Sequence, residues 1–284
     1  MSSRTYLPEF DDVEQSAATA PGRELANLGP ARMFRLMSQG AICPVDRRGG
    51  PAEQGAAAYA QTMRPPQCTE ESTIATRRLL VLGATGGTGQ QVVSQALEQG
   101  HDVTVLVRNP HRVSTRHDRV RVLTGNVLDG RALTDAMRAQ DVVISTLGVG
   151  KSLKPSGLIA RSMPAIVTAM KSHGIHRLIF TSAYGVGATR RDVPLLPRML
   201  IQLLLQDLYA DKEAGEDYLR GSDLDWTLIY PVTLTNGPTT GRYRVGERLE
   251  LHGFPTVSRA DVAHFLVTQV GDSAYSRKGV LISK

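Results

Sequence analysis

The segment Leu79-Leu80-Val81-Leu82-Gly83-Ala84-Thr85-Gly86-Gly87-Thr88-Gly89 is followed by Val92, Val93, Ala96 and Leu97 at helical spacing. A short apolar run stopped by glycine reads as a buried strand, and the spaced apolar residues after it read as a helix packed on one face. A strand that ends abruptly, a chain that passes close to an anion and a helix that starts with free amides together describe a phosphate site. Gly83 turns the chain, Gly86 leaves room for a phosphate, and Gly89 lets the helix lie close to the strand. Thr85, Gly87 and Thr88 complete the loop. The spacing is G-x-x-G-x-x-G, a loose fit to the G-x-G-x-x-G fingerprint of dinucleotide sites. It is the strand before the loop and the helix after it that make a dinucleotide loop the expectation.

The next strand, His101-Asp102-Val103-Thr104-Val105-Leu106-Val107, bears on which dinucleotide is bound. Sites for NAD place an acid near the carboxyl end of this strand, where it holds the ribose 2′-hydroxyl. Arg108 stands there instead, and Asp102 lies at the opposite end. A guanidinium is a permanently charged planar fork suited to a 2′-phosphate, with Arg112 as a second contact. The cofactor expected is therefore NADP(H) in preference to NAD(H). The alternative is that both arginines are solvated loop charges.

Strand and helix patterns then alternate. Strands are expected at 120–123, 141–145, 177–181 and 226–230, and helices at 130–138, 158–172 and 196–220. Such alternation predicts an α/β fold: a single Rossmann-like, doubly wound parallel sheet with helices on both faces and a ligand crevice at the carboxyl ends of its strands. The loops singled out all fall at that edge. Asn126 and Val127 are placed near the adenine, Leu147 and Gly148 near the middle of the cofactor, and Ser182 and Pro231 beside the nicotinamide. For Asn126 and Thr146 a purely backbone role is an equal alternative.

The first part of the chain reads differently. Residues 1–72 are rich in Ala, Pro, Gly, Ser and Gln, lack lysine and show no sustained period. They are expected to form a largely irregular extension, with one helix candidate at Pro30 to Met37. Residues 73–284 are expected to form the NAD(P)-binding domain, including a small C-terminal substrate-binding part. The extension carries a formal charge of −2, so the remaining residues hold +8 of a chain total of +6. A basic body suits an anionic ligand. No nucleic-acid-binding signature accompanies the charge, and no nucleic acid is expected. The two cysteines, Cys43 and Cys68, cannot build a disulfide framework or a metal cluster, and the scattered histidines offer no metal site. No run approaches the roughly 20 apolar residues of a membrane span, and no signal core opens the chain. A cytoplasmic protein is the expectation.

Several ordered motifs bear a resemblance. They are Gly-Ala-Thr-Gly-Gly-Thr-Gly at 83–89, Val-Thr-Val-Leu-Val-Arg at 103–108, Gly-Asn-Val-Leu-Asp at 125–129 and Phe-Thr-Ser-Ala-Tyr at 180–184. Later come Asp-Lys-Glu-Ala-Gly-Glu at 211–216, Asp-Leu-Asp-Trp-Thr-Leu-Ile-Tyr-Pro at 223–231 and Thr-Gly-Arg-Tyr at 240–243. Over about residues 77–284 the chain resembles the atypical short-chain dehydrogenase/reductase superfamily, in its NAD(P)H-binding branch similar to flavin reductase/biliverdin-IXβ reductase. The resemblance implies an NADPH-dependent oxidoreductase, monomeric or homodimeric, that passes hydride to a planar conjugated small molecule such as a flavin or quinone. It points to Ser182, Tyr184 and Lys212 as catalytic-site residues.

There are departures. The superfamily's Tyr-x-x-x-Lys pair is missing, because Tyr184 has Ala188 four places on and Tyr209 has Lys212 at three. Asn126 stands where aspartate is common, and Tyr230 where arginine commonly precedes the proline. Hydride transfer to a stacked acceptor tolerates the lost pair, since the protein then supplies mainly proximity and orientation. Ser182 becomes an orienting hydroxyl. Lys212 has two readings, a contact to ribose or substrate and a surface ion pair with Glu216 at i+4. A non-catalytic, NmrA-like sensor of the nucleotide is the alternative function.

Overall fold

The computed structural model describes residues 75–148, 157–193, 203 and 205–284. Strand β1 (Arg78–Leu82) runs into the glycine loop and helix α1 (Gly87–Glu98), followed by β2 (Asp102–Val107) and β3 (Val120–Thr124). Helix α2 (Gly130–Met137), β4 (Val142–Ser145), α3 (Leu158–Ser172) and β5 (Arg177–Thr181) continue the alternation. Then come α4 (Gln206–Arg220), β6 (Asp225–Pro231), β7 (Thr233–Thr235), β8 (Arg244–Gly246) and β9 (Thr256–Ser258). Helix α5 (Arg259–Thr268) and β10 (Lys278–Ser283) close the chain.

Among the described residues, eight strands form one sheet in the order β3-β2-β1-β4-β5-β6-β10-β8. All neighbours are parallel except β10 and β8. The winding reverses beside β1: Leu79 faces Val103 of β2 on one side and Val142 of β4 on the other. This is the topological switch point, where a doubly wound sheet opens a crevice beyond its carboxyl ends.

Why β1 is apolar at every position after Arg78 follows from the layers. Leu79 and Val81 pack with Val92 and Ala96 of α1 and Val262 and Leu266 of α5, whereas Leu80 and Leu82 pack with Leu133, Ile166, Met170 and Leu219 on the other face. A parallel strand buried on both sides shows no polar alternation. Strand β3 lies at the edge, and there Val122 is exposed.

Each strand and helix expected from the sequence is present where the structure describes it. Of the long helix expected at 196–220, residues 206–220 form α4, while 194–202 and 204 lie outside the described residues. The expected extension, 1–72, with its helix candidate at 30–37, also lies outside them. Four strands and α5, all after residue 231, had no clear pattern in the sequence. β7, β8 and β9 have three residues each, too few to show a period. In α5, Ala260, Asp261, Val262, Ala263, Phe265, Leu266 and Val267 are all buried, so no polar stripe marks it as a helix. No helix among the described residues is long and apolar enough to cross a membrane.

Candidate functional site

The glycine loop lies at the switch point, and each glycine has a separate reason. Gly83 has φ +85°, and a Cβ there would lie 2.7 Å from the Thr146 carbonyl oxygen at the end of β4. A Cβ on Gly89 would lie 2.2 Å from the Gly83 carbonyl oxygen. Thr146 braces this contact, its amide donating to the Leu82 carbonyl at 2.8 Å and its hydroxyl to the same oxygen at 3.1 Å. That is the backbone role open for Thr146. Gly86 is different: it is exposed and extended, and a Cβ there would meet only the Gly83 carbonyl oxygen, at 3.3 Å. What this glycine keeps free is space on the solvent side.

Electrostatics agree with an anion there. The first amides of a helix have no partner within it. Helix α1 starts with no side-chain cap and no acid in its first turn. Its positive end therefore faces the crevice uncompensated. Thr85 is half-buried and Thr88 buried beside it, and Gly87 is exposed. A Cβ on Gly87 would lie 2.8 Å from Cδ of Arg259, a residue for which the local sequence holds no signal. The loop thus fits a dinucleotide pyrophosphate.

Around the loop, the carboxyl ends of β2, β3 and β4 carry the other expected contacts. Arg108 and Arg112 are both exposed and, among the described residues, neither pairs with a carboxylate. Between them Asn109 accepts from the His111 amide at 3.0 Å and starts a short 3-10 turn, Pro110–Arg112. Asn126 accepts from the Leu128 amide at 3.1 Å, so its carbonyl oxygen holds a turn. Val127 is buried, Leu147 half-buried, and Gly148 exposed in open space.

The end of β5 carries a polar cluster enclosed between sheet and helix. Ser182 donates its hydroxyl hydrogen to Glu216 of α4. Tyr230 of β6 donates to the other carboxylate oxygen at 2.7 Å, and Arg220 donates to the Tyr230 oxygen at 2.6 Å and pairs with Glu216 at 3.1 Å. Glu216 is wholly buried, and burial pushes its pKa up despite the Ser182 and Tyr230 hydrogen bonds and the Arg220 charge that favour the carboxylate. Burial first, and then the Glu216 charge, raises the Tyr230 phenol. A serine has one proton. While Glu216 holds it, Ser182 presents only lone pairs to its surroundings.

Lys212 proves not to be Glu216's partner. Its ammonium donates to the Thr181 carbonyl at 3.4 Å and lies 5.7 Å from the centre of the Phe180 ring, while Arg220 takes the ion pair with Glu216. The surface-pair reading of Lys212 is therefore set aside. Burial pushes the Lys212 amine down to about 8, against the pull of Glu216 and Asp211. Tyr184 donates its hydroxyl to the Asp192 carbonyl at 2.6 Å, and burial raises its pKa. Its amide donates to the carbonyl of buried Pro231 at 3.1 Å, which ties the loop after β5 to the end of β6.

The lowered Lys212 pKa has a measurable sign. An amine with a folded pKa of about 8 and an ordinary value of 10.5 makes burial costly while it is charged in both states, and the cost is relieved as pH rises from 8 to 10.5. Replacing it by an uncharged side chain should therefore stabilise the fold at neutral pH. Lys212→Met is expected to be more stable than the parent at pH 7 by about 1–3 kcal/mol. The gap should narrow between pH 8 and 10. Denaturant unfolding of both proteins across that range checks it, and a variant less stable at pH 7 would contradict the stated balance.

The structure brings Ser182, Lys212 and Pro231 to the ends of β5 and β6, at the same edge as the glycine loop and Arg108. It adds Glu216 and Arg220 beside Ser182, and Arg259 beside Gly87 with a terminal nitrogen donating to Oδ1 of Asn236 at 2.6 Å, none of which sequence reasoning placed in the candidate site. Glu216 lay within a quoted motif, but its i+4 spacing from Lys212 suggested a surface pair. Among the described residues, no group of three or more His, Cys, Asp or Glu side chains is arranged to hold a metal ion.

The chain is 26% identical over 211 residues to the photosystem II assembly factor Ycf39 of Synechocystis, covering 71% of this chain and 60% of that protein. It is 32% identical over 105 residues to phenylcoumaran benzylic ether reductase IRL1 of Ginkgo biloba, covering 31% of this chain and 34% of the relative. The chain thus spans less than two thirds of the length of these curated relatives. Among solved structures, the anaerobillin reductase ChuY of Escherichia coli O157:H7 matches with a TM-score of 0.61 at 24% identity, covering 72% of this chain and 96% of that one. A short-chain dehydrogenase/reductase of Veillonella parvula in complex with NADP matches with a TM-score of 0.60 at 23% identity, covering 73% and 94%. At these identities the structural matches establish the fold. A family model described as NAD(P)H-binding matches residues 83–273, from the first loop glycine to beyond α5. The chain belongs to the NAD(P)H-binding family, with its Rossmann-type sheet and its glycine loop at the switch point.

Proposed function

We propose that the protein is an NADPH-dependent oxidoreductase that reduces a planar conjugated acceptor such as a flavin, a quinone or a related small molecule. The observation that carries this reading is the Ser182–Glu216–Tyr230–Arg220 cluster at the crevice edge of an NAD(P)H-binding sheet. Bound NADPH supplies the hydride; the chain's part is to hold and orient. The Gly83 to Gly89 loop receives the pyrophosphate, Arg108 and Arg112 the 2′-phosphate, and Asn126 and Val127 flank the adenine. Leu147 and Gly148 line the middle of the crevice, and Ser182 and Pro231 border the nicotinamide. With its proton held by Glu216, Ser182 acts as an acceptor, which suits the amide hydrogens of a carboxamide. Lys212 keeps a proton on Nζ at neutral pH close to the end of β5.

Tyr184 shapes the acceptor side and does not transfer a proton, because its hydroxyl serves the Asp192 carbonyl. As proposed, the protein works in the cytoplasm as a monomer or homodimer on a small molecule. Residues 1–72 form an extension to an NAD(P)-binding domain over 73–284, whose last part contributes to substrate binding.

The test is stereospecific transfer of deuterium from C4-labelled NADPH to a panel of flavins, quinones and enones at catalytic rates. Labelled product formed by the parent supports the reductase. The same nucleotide crevice serves a second reading, an NmrA-like sensor. No turnover across the panel, together with different affinities for NADPH and NADP⁺ and an altered association with a partner, would establish the sensor instead.

Cofactor choice has its own expected result. Arg108 replaces the acid of NAD sites, and a charged hydrogen bond to a 2′-phosphate contributes about 1.5–3 kcal/mol. NADPH is therefore expected to bind more tightly than NADH, and Arg108→Ala to lower that preference about 10- to 100-fold. Calorimetric titration of parent and variant with both nucleotides measures it. Equal affinities in the parent would end the assignment.

A further inference from the structure

Arg259 is the first residue of α5, yet its side chain lies over a different helix. The position of a Cβ on Gly87, in the first turn of α1, is 2.8 Å from Cδ of Arg259 and 3.1 Å from its Nε. One terminal nitrogen donates to Oδ1 of Asn236 at 2.6 Å. Among the described residues Arg259 pairs with no carboxylate. Asp261, two residues on, is occupied elsewhere: it accepts from the amides of Thr240 and Gly241 and the hydroxyls of Thr240 and Ser258.

For stability alone this placement is poor. A guanidinium is laid against the start of another helix, whose end carries positive partial charge, while the start of α5 itself is capped by Ser258 and has Asp261 in its first turn. The α1 end has neither a side-chain cap nor an acid to offset it. Asn236 is neutral, so it fixes the side chain without cancelling the charge. It also leaves several of the five guanidinium hydrogens unused. Two uncompensated positive features, the Arg259 guanidinium and the start of α1, therefore converge on the loop that the family uses for a dinucleotide, and an anion bound between them would satisfy both.

We propose that Arg259 is the clamp for the cofactor's pyrophosphate, held by Asn236 over the Gly86 to Gly89 turn and closing that site from the α5 side. Helix α5 thereby becomes part of the nucleotide site, although it follows the glycine loop by about 170 residues of chain. The inference rests on NAD(P)H binding and does not depend on hydride transfer to any acceptor.

Calorimetric titration of the full chain with NADPH and with 2′-AMP tests it, because 2′-AMP keeps the adenine and 2′-phosphate but has no pyrophosphate. Arg259→Gln is expected to weaken NADPH about 10-fold or more, with 2′-AMP affinity unchanged and the melting temperature within about 2 °C of the parent. Arg108→Ala is expected to weaken both ligands, which separates the two arginines. Asn236→Ala, at an exposed residue, should weaken NADPH about 2- to 5-fold through loss of the tether, and serves if Arg259→Gln does not fold. Unchanged NADPH affinity in Arg259→Gln, or an equal loss for both ligands, would overturn the clamp. So would a parent that binds 2′-AMP but gains no affinity from the pyrophosphate half of NADPH.

Discussion

Gly86→Val is expected to reduce NADPH affinity by about 100-fold or more while the melting temperature stays within a few degrees of the parent. The reason is the difference among the loop glycines. Gly86 has φ −81° and ψ 161°, a conformation open to valine, and its Cβ position meets only one carbonyl oxygen, at 3.3 Å. The added methyl groups therefore fill solvent-side space, which is the space a pyrophosphate needs beside the first amides of α1. Gly89→Val is the control. Its Cβ would lie 2.2 Å from the Gly83 carbonyl oxygen, so α1 must move off β1 and the fold itself should weaken by roughly 1–3 kcal/mol or more. Calorimetric titration and thermal melting of both variants separate lost binding from lost folding. A folded Gly86→Val protein that binds NADPH as the parent does would remove the loop from the site.

The second large effect is one of stability. Glu216→Ala is expected to destabilise the fold by about 3–5 kcal/mol, because it removes the buried acceptor shared by Ser182, Tyr230 and Arg220. The corresponding fall in melting temperature is about 10 °C. Differential scanning calorimetry measures it, and a fall below about 2 °C would show that the cluster contributes little. Glu216→Gln keeps the shape and isolates the charge. Because burial raises the Glu216 pKa, the carboxylate takes up a proton more readily in the folded state than in the unfolded chain. The parent's stability relative to Glu216→Gln should therefore decline as pH rises from the ordinary glutamate value through the raised one. The opposite slope would mean that the donors around Glu216 outweigh its burial.

The same cluster explains a departure in the sequence. Tyr230 stands where the resemblance to the flavin reductase/biliverdin-IXβ reductase branch leads one to expect arginine before the proline. Here a guanidinium is present all the same, but it arrives from Arg220 of α4, 2.6 Å from the Tyr230 hydroxyl oxygen. A Cβ on Gly187 would lie 2.7 Å from Glu216 Oε2, so the loop after β5 must also stay thin to cover the carboxylate. Such a polar group enclosed on all sides holds the end of β5 in one position, which an orienting role for Ser182 requires.

Residues 79–97 by themselves determined the start of the fold, because a continuous apolar strand, a glycine loop and a helical period are local consequences of backbone freedom and of burial on two faces. The same holds for Arg108, whose place follows from counting along β2. The alternation of elements up to Pro231 was legible for this reason too. What the sequence could not show was decided by distance. Arg259 lies about 170 residues beyond Gly87, and only the packing of α5 beside α1 brings its side chain over the loop. Lys212 and Glu216 have the spacing of a surface pair, but the docking of α4 against β5 and β6 buries Glu216 and gives it Arg220 as partner. Local pattern records which residues are neighbours on one element; burial, partner choice and charge balance depend on the elements packed around it.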